Sequence, residues 1–176
     1  MKTPARRRAP ELPSLEPGLH EFPDKLGGAP HSKLSLRMWL RLLSCATVVE
    51  KRVRARLEEE FATTLPRFDV LAAIARHPNG PTMSQLSRSM MVSNGNVTAV
   101  VNRLMQDGWI VRSVEGRDRR VATVRFTRKG RAAFAKMAEA HEKWIDTMFA
   151  EIPDPELESL MDALAAVRRS IEHSGV

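Results

Sequence analysis

Two short stretches hold side chains whose types and spacing can do chemistry. The first is "SNGN", Ser93 to Asn96, followed by Thr98. Asparagine can donate and accept hydrogen bonds together, which matches an adenine edge. Small neighbours such as Gly95 let the backbone come close to whatever is bound. The second is the cluster Arg117, Asp118, Arg119 and Arg120. Guanidinium groups bind phosphate and can enter a narrow minor groove, where negative potential is concentrated. Both stretches suit recognition of a polyanion.

Composition agrees with that reading. The 176-residue chain carries a net charge of +7 and is 43% hydrophobic, with 5% aromatics and no Tyr. A basic excess of this size favours nucleic acid first and an anionic membrane surface second. Turnover chemistry has no visible seat. There is no Cys/His cluster with metal-ligand spacing and no Gly-rich phosphate loop. His20, His31, His77, His141 and His173 are scattered, and His141 reads as a core or interface residue. We therefore expect no catalytic residues, metal or cofactor. One Cys excludes an internal disulfide. No long apolar run suggests a membrane span, and no signal-peptide core is seen, so a soluble cytoplasmic protein without a membrane partner is expected.

The surrounding pattern says what must position the two stretches. Val97, Val100, Val101 and Leu104 fall at i, i+3, i+4 and i+7, one apolar stripe of a helix that ends near Asp107-Gly108. Ser93 is a suitable N-cap, but Gly95 and Asn96 are poor helix formers. They fit a helix whose first turn must approach something polar. "TMSQLSRSMM" before it reads as a short helix capped by Thr82. Ahead of that, Pro66 opens a helix that His77-Pro78-Asn79-Gly80 closes in a turn. After Gly108 the period changes to two β-branched runs, Trp109 to Val114 and Val121 to Thr127. They form a β-hairpin whose tip, Glu115 to Arg120, carries the arginine cluster.

Long helices flank this unit. Leu36, Trp39, Leu43, Ala46, Val49, Val53 and Leu57 mark one that begins at Ser32 or Ser35. Another starts near Thr127 or Arg128 and carries Phe134, Met137, His141, Trp144, Ile145, Met148 and Phe149. "IPDP" breaks it, and a last helix shows Leu157, Leu160, Met161, Leu164, Val167 and Ile171. Residues 1–31 hold six of the eleven prolines and no periodicity, and read as a disordered arm whose Arg6 to Arg8 form a solvated tail. The expected fold is mainly α with a small β-hairpin wing: a winged helix-turn-helix over about 64–127 and long helices over about 33–61 and 128–174, together one domain over 32–176. The last helix is more apolar than a lone terminal helix can leave exposed, which points to a dimer.

The chain resembles the MarR family of bacterial transcription regulators. "DRRVATVRFTRKG", Asp118 to Gly130, is similar to the family's Asp-x-Arg wing followed by Thr-x-x-Gly, and "MSQLSRSMMVSNGNVTAVVNRLMQDGWIVR" is similar to its recognition unit. The resemblance covers about residues 34–174. It implies an obligate homodimer whose helical dimerisation layer is formed by the long helices at about 33–61 and 128–174, a pseudo-palindromic double-stranded DNA operator, and a wing in which Arg120 enters the minor groove while Asp118 orients it. DNA contacts are expected from Ser93, Asn94, Gly95, Asn96, Thr98, Arg117, Asp118, Arg119 and Arg120. Ala99 departs from the pattern, since many members carry a basic residue there. Arg103 is expected to pair within the protein.

The family implies a sequence-specific regulator, a repressor released by a small aromatic ligand. "LRMWLRLLSCATVVEKRVRARL", "TTLPRFDVLAAI" and "VSNGNVT" resemble regulators of hydroxycinnamate and related aromatic-acid catabolism, which respond to aryl-CoA thioesters. Arg37 and Arg41, one helical turn apart beside Trp39, can clamp phosphates; a solvated basic face or pairing with a partner chain is the alternative. Cys45, among Leu42, Leu43, Ala46 and Val48 and with no Tyr in the chain, reads as a buried structural thiol rather than a redox sensor. An architectural DNA-binding protein without an effector is the other reading.

Overall fold

The computed structural model describes residues 30–90, 94–113 and 122–175. In chain order these form α1 (Pro30–Phe61), α2 (Leu65–Ala75), α3 (Met83–Met90), α4 (Asn94–Gln106), β1 (Ile110–Ser113), β2 (Thr123–Phe126), α5 (Arg128–Phe149) and α6 (Asp154–His173). Ser93, the hairpin tip with Arg117, Asp118, Arg119 and Arg120, and the arm before Pro30 lie outside the described residues. The described chain divides after Leu43 into two units, the second of which, from Ser44 on, holds the rest of α1 and every later element.

Helix α1 starts at Pro30, two residues inside the stretch expected to be an arm. Proline is accommodated in a first helical turn, where its missing N–H has no partner to lose. At the other end the Thr63 N–H reaches back to the Leu57 carbonyl at 3.2 Å. That closure places Ala62 in the left-handed region (φ 48°), at a cost of about 1–2 kcal/mol for a residue with a Cβ.

Within the second unit, Val53 and Leu57 of α1 belong to one core with Phe68, Val70, Leu71, Ala73 and Ile74 of α2, Leu86 of α3, and Val97, Val101 and Leu104 of α4. Ile110, Val124 and Met137 add β1, β2 and α5 to it. The α4 stripe is as the periodicity required, except that Val100 is only partly buried. Apolar aromatic contacts join α2 to α5. Phe68 lies 5.8 Å from Phe134 and 4.9 Å from His141 between ring centroids.

Capping follows the sequence closely. Thr82 and Gln85 make a reciprocal box at the start of α3: the Thr82 N–H donates to Gln85 Oε1 at 2.8 Å, and the Gln85 N–H to Thr82 Oγ1 at 3.2 Å. Thr127 caps α5 by accepting from the Gly130 N–H at 3.0 Å.

The hairpin is shorter than the two apolar runs suggested. It pairs Ile110 with Phe126, Val111 with Arg125, Arg112 with Val124 and Ser113 with Thr123, antiparallel. A bridge between Thr82 and Thr123 and a 2.9 Å bond from the Val124 N–H to the Pro81 carbonyl tie it to the chain just before α3. Gly80 makes that approach possible. Its φ is +76°, and a Cβ there would sit 2.6 Å from the Val124 carbonyl oxygen.

Candidate nucleic-acid interface

The helix pair α3–α4 and the hairpin give the geometry of a winged helix-turn-helix. Gly95 and Asn96 are exposed in the first turn of α4, and Ala99 and Asn102 continue the same open side. Asn94 opens the helix by its backbone. Thr98 differs from expectation: it is only half-exposed and already has an interaction partner. Val97, Val101 and Leu104 on the opposite side hold α4 against the core, so its polar edge is presented by burial of the other edge. No neighbouring atom lies within 4 Å of where a Gly95 Cβ would be. Among the described residues nothing therefore demands glycine there.

Arg88 on α3, Arg103 on α4 and Arg112 on β1 are also exposed on elements of this unit. Arg103 makes no ion pair with a described residue, contrary to the pairing expected for it. Asp107, one turn on from it, is instead paired with Arg67.

The N-terminal half of α4 is seated by Val97 but borders open space toward α2. An open cavity of about 590 Å³ separates Asn96 and Val100 from Asp69, Ala73 and Arg76 of α2. Burial raises the Asp69 carboxyl above its ordinary range, with the Glu50 charge adding to the effect and Arg76 and Arg54 opposing it.

The C-terminal end of α4 is held by a cluster that sequence reasoning missed. Arg67, in the first turn of α2, pairs with Asp107 across forty positions of sequence. Its guanidinium carbon lies 5.0 Å from the centre of the Trp109 ring. Lys129 donates to the Asp107 carbonyl at 2.9 Å, and the Thr127 hydroxyl donates to the Gly108 carbonyl at 2.7 Å. Gly130 packs against the Trp109 backbone so closely that a Cβ would fall 1.8 Å from its carbonyl oxygen. The family-like Thr-x-x-Gly motif marked Thr127 and Gly130. Nothing local marked Arg67.

The residues expected at an effector site, Arg37, Trp39 and Arg41, are exposed on the first half of α1, Trp39 by 51%. Cys45 is exposed, which corrects the buried thiol expected from its apolar sequence neighbours. Those neighbours lie beside it on one helix, and no described element buries it. His141 is half-buried among Phe68 and Trp144, and desolvation holds its pKa below the ordinary histidine value. Among the described residues no group of three or more His, Cys, Asp or Glu could hold a metal ion, and no helix is long and apolar enough to cross a membrane.

Comparison with known proteins bears on the same region. A model of the MarR family matches residues 63–121, which is α2 through the hairpin region. The chain is similar to the transcriptional activatory protein BadR of Rhodopseudomonas palustris, with 33% identity over 61% of this chain and 62% of BadR, short of two thirds of that protein's length. It is similar to the crystal structure of a MarR family transcriptional regulator from Silicibacter pomeroyi: TM-score 0.69 and 28% identity over 82% of this chain and 99% of that one. Streptococcus pneumoniae FabT in complex with DNA (TM-score 0.67, 24% identity, 78% and 97% covered) and Rhodococcus jostii CouR bound to p-coumaroyl-CoA (0.67, 20%, 76% and 93%) share the fold. Residues 63–121 thus match the MarR family model, and the fold is that of MarR family winged-helix structures. The relatives are regulators, not enzymes.

Proposed function

We propose that this chain is a sequence-specific DNA-binding regulator that works as a homodimer and loses its operator when a small aromatic ligand binds. One observation carries the DNA reading. The first turn of α4 exposes Gly95 and Asn96, residues the fold does not need there, at the end of a helix whose other side is buried. Backbone and amide groups at a helix start suit phosphates and base edges. The Arg117–Arg120 tip supports the reading from sequence, with Arg120 in the minor groove and Asp118 orienting it.

The dimer is supported by α6. Leu160, Met161, Leu164 and Ile171 are 48–63% exposed, an apolar face with no cover in the described chain. A second copy supplies that cover and sets two recognition helices about one DNA turn apart. Footprinting on fragments selected from genomic DNA tests both parts. One protected pseudo-palindrome with two half-sites is expected; continuous coating of the duplex would identify an architectural protein instead.

For the effector we propose an aryl-CoA thioester with Arg37 and Arg41 clamping its phosphates and Trp39 beside the aryl group. The exposure of all three and the p-coumaroyl-CoA bound in the CouR structure of the same fold support this reading. A thermal-shift screen of aromatic acids and their CoA thioesters decides it, since a ligand of the native state raises apparent stability by mass action. An Arg37→Ala/Arg41→Ala chain that keeps full aryl-CoA affinity would overturn the clamp. A reporter assay then separates repression from activation.

A further inference from the structure

We infer that Arg67, although it lies on α2 and not on the DNA-facing side of α4, is a positioning residue for sequence readout, acting through Asp107 and the Trp109 ring. The inference rests on the DNA-binding reading of α4.

Asp107 follows the last residue of α4, where the helix dipole is negative. A carboxylate there is unfavourable unless a cation answers it. Arg67 answers it, with its side chain only 19% exposed and its face over Trp109. Its Nε is buried without a hydrogen-bond partner. A guanidinium so far removed from water is costly to hold, and its position is correspondingly defined by its two partners. The aromatic face and the carboxylate together fix its plane in a way that an ammonium group could not.

The remainder of α4 explains why this end matters. Val97, Val101 and Leu104 set the depth and roll of the helix, but its N-terminal half borders the open cavity. Pitch is therefore governed from the anchored end. Across 13 residues rising about 1.5 Å each, a tilt of about 5° moves the first turn by about 1.5 Å, enough to spoil hydrogen bonds to base edges. The same cluster joins α4 to the start of α5 through Lys129 and Thr127, so helix pitch and α5 are mechanically connected.

The test uses the full chain with Arg67→Met, Asp107→Asn and the double variant; Met keeps the apolar stem over Trp109. Affinity is measured for the footprinted operator and for a scrambled duplex across a salt series, and amide exchange along α4 is followed without DNA. The expected result for each single variant is a loss of about tenfold in the operator-to-scrambled ratio, the size expected for one charge-assisted bond. The salt slope should stay unchanged, the amides of residues 103–109 should exchange faster, and the double variant should lose no more than the worse single one. A shallower salt slope with weaker scrambled binding would make Arg67 a phosphate contact and overturn the inference. So would an unchanged ratio accompanied only by lower thermal stability. If the wild type itself does not discriminate, the DNA-binding reading fails; unchanged exchange in the variants then also overturns the anchoring role.

Discussion

Helices α4 and α6 have the same kind of sequence, an apolar stripe at helical spacing with polar residues opposite, yet the fold treats them differently. In α4 the stripe is covered: Val97, Val101 and Leu104 are at most 1% exposed. In α6 no residue is buried, and Leu160 and Leu164 are about half exposed. Periodicity states that a helix has something to bury. It does not state whether the cover comes from the same chain. The residues opposite the stripe add to the contrast. Those of α4 are weak helix formers at its start, whereas α6 has Asp154 and Glu156 in its first turn, where negative charge favours the helix dipole. Helix α6 is built for stability and α4 gives some stability up.

The largest expected effect breaks the comparison directly. Leu104→Ala should cost about 2–5 kcal/mol in chemical denaturation, as for any fully enclosed leucine. Leu164→Ala should leave the unfolding slope of a dilute monomer nearly unchanged and instead weaken self-association in sedimentation. Equal losses of stability at both positions, with association intact, would show that α6 is covered within its own chain.

Gly95→Ala sharpens the same contrast with a smaller effect. A methyl group there meets nothing, so the helix should gain about 0.5–1 kcal/mol. Operator binding should nevertheless weaken, because the added Cβ stands where the backbone is to approach DNA. A variant that is both more stable and fully active would remove the reason offered for glycine at this position.

The smallest effect is the response to acid. Desolvation depresses the His141 pKa, so the folded chain prefers the neutral ring. That contribution is complete above the unfolded value of about 6.5 and is lost as pH falls through the depressed folded value. Asp69 works with the opposite sign at lower pH. Its raised pKa means that the fold favours the protonated carboxyl, and this contribution fades as pH rises. His141→Phe should flatten the stability profile as pH falls below about 6.5, while Asp69→Asn should stabilise most at neutral pH, where the wild-type carboxyl is held charged against desolvation, and the gain should fade in acid. Stability measured by denaturant titration at several pH values checks both, and an unchanged profile for His141→Phe would contradict the desolvated environment.

Much of this fold could be read from local pattern because its signals are local. Thr82, Pro66 and Thr127 mark helix starts through bonds or steric fits that reach only three or four residues. The α4 stripe needs no knowledge of its partner. Distance in sequence hid the rest. Nothing near Arg67 in sequence points to its partner, because Asp107 is forty positions away. The β2 strand came out shorter than its apolar run, since register depends on Thr82 and Pro81 as much as on Thr123 and Val124. Cys45 shows the reverse error: apolar neighbours in sequence suggested burial, but a helix places them side by side rather than on top of it.

Reading of bases by the open edge of α4 is the central claim, and Asn96→Ala tests it most directly. Fluorescence anisotropy would compare wild type and variant on the footprinted operator and on a scrambled duplex of equal length and salt. Loss of one amide contact to a base should weaken operator binding by about 1–3 kcal/mol and leave the scrambled duplex unaffected. Unchanged affinity for the operator would contradict base readout at this position, and an equal loss on both duplexes would reduce Asn96 to a backbone contact.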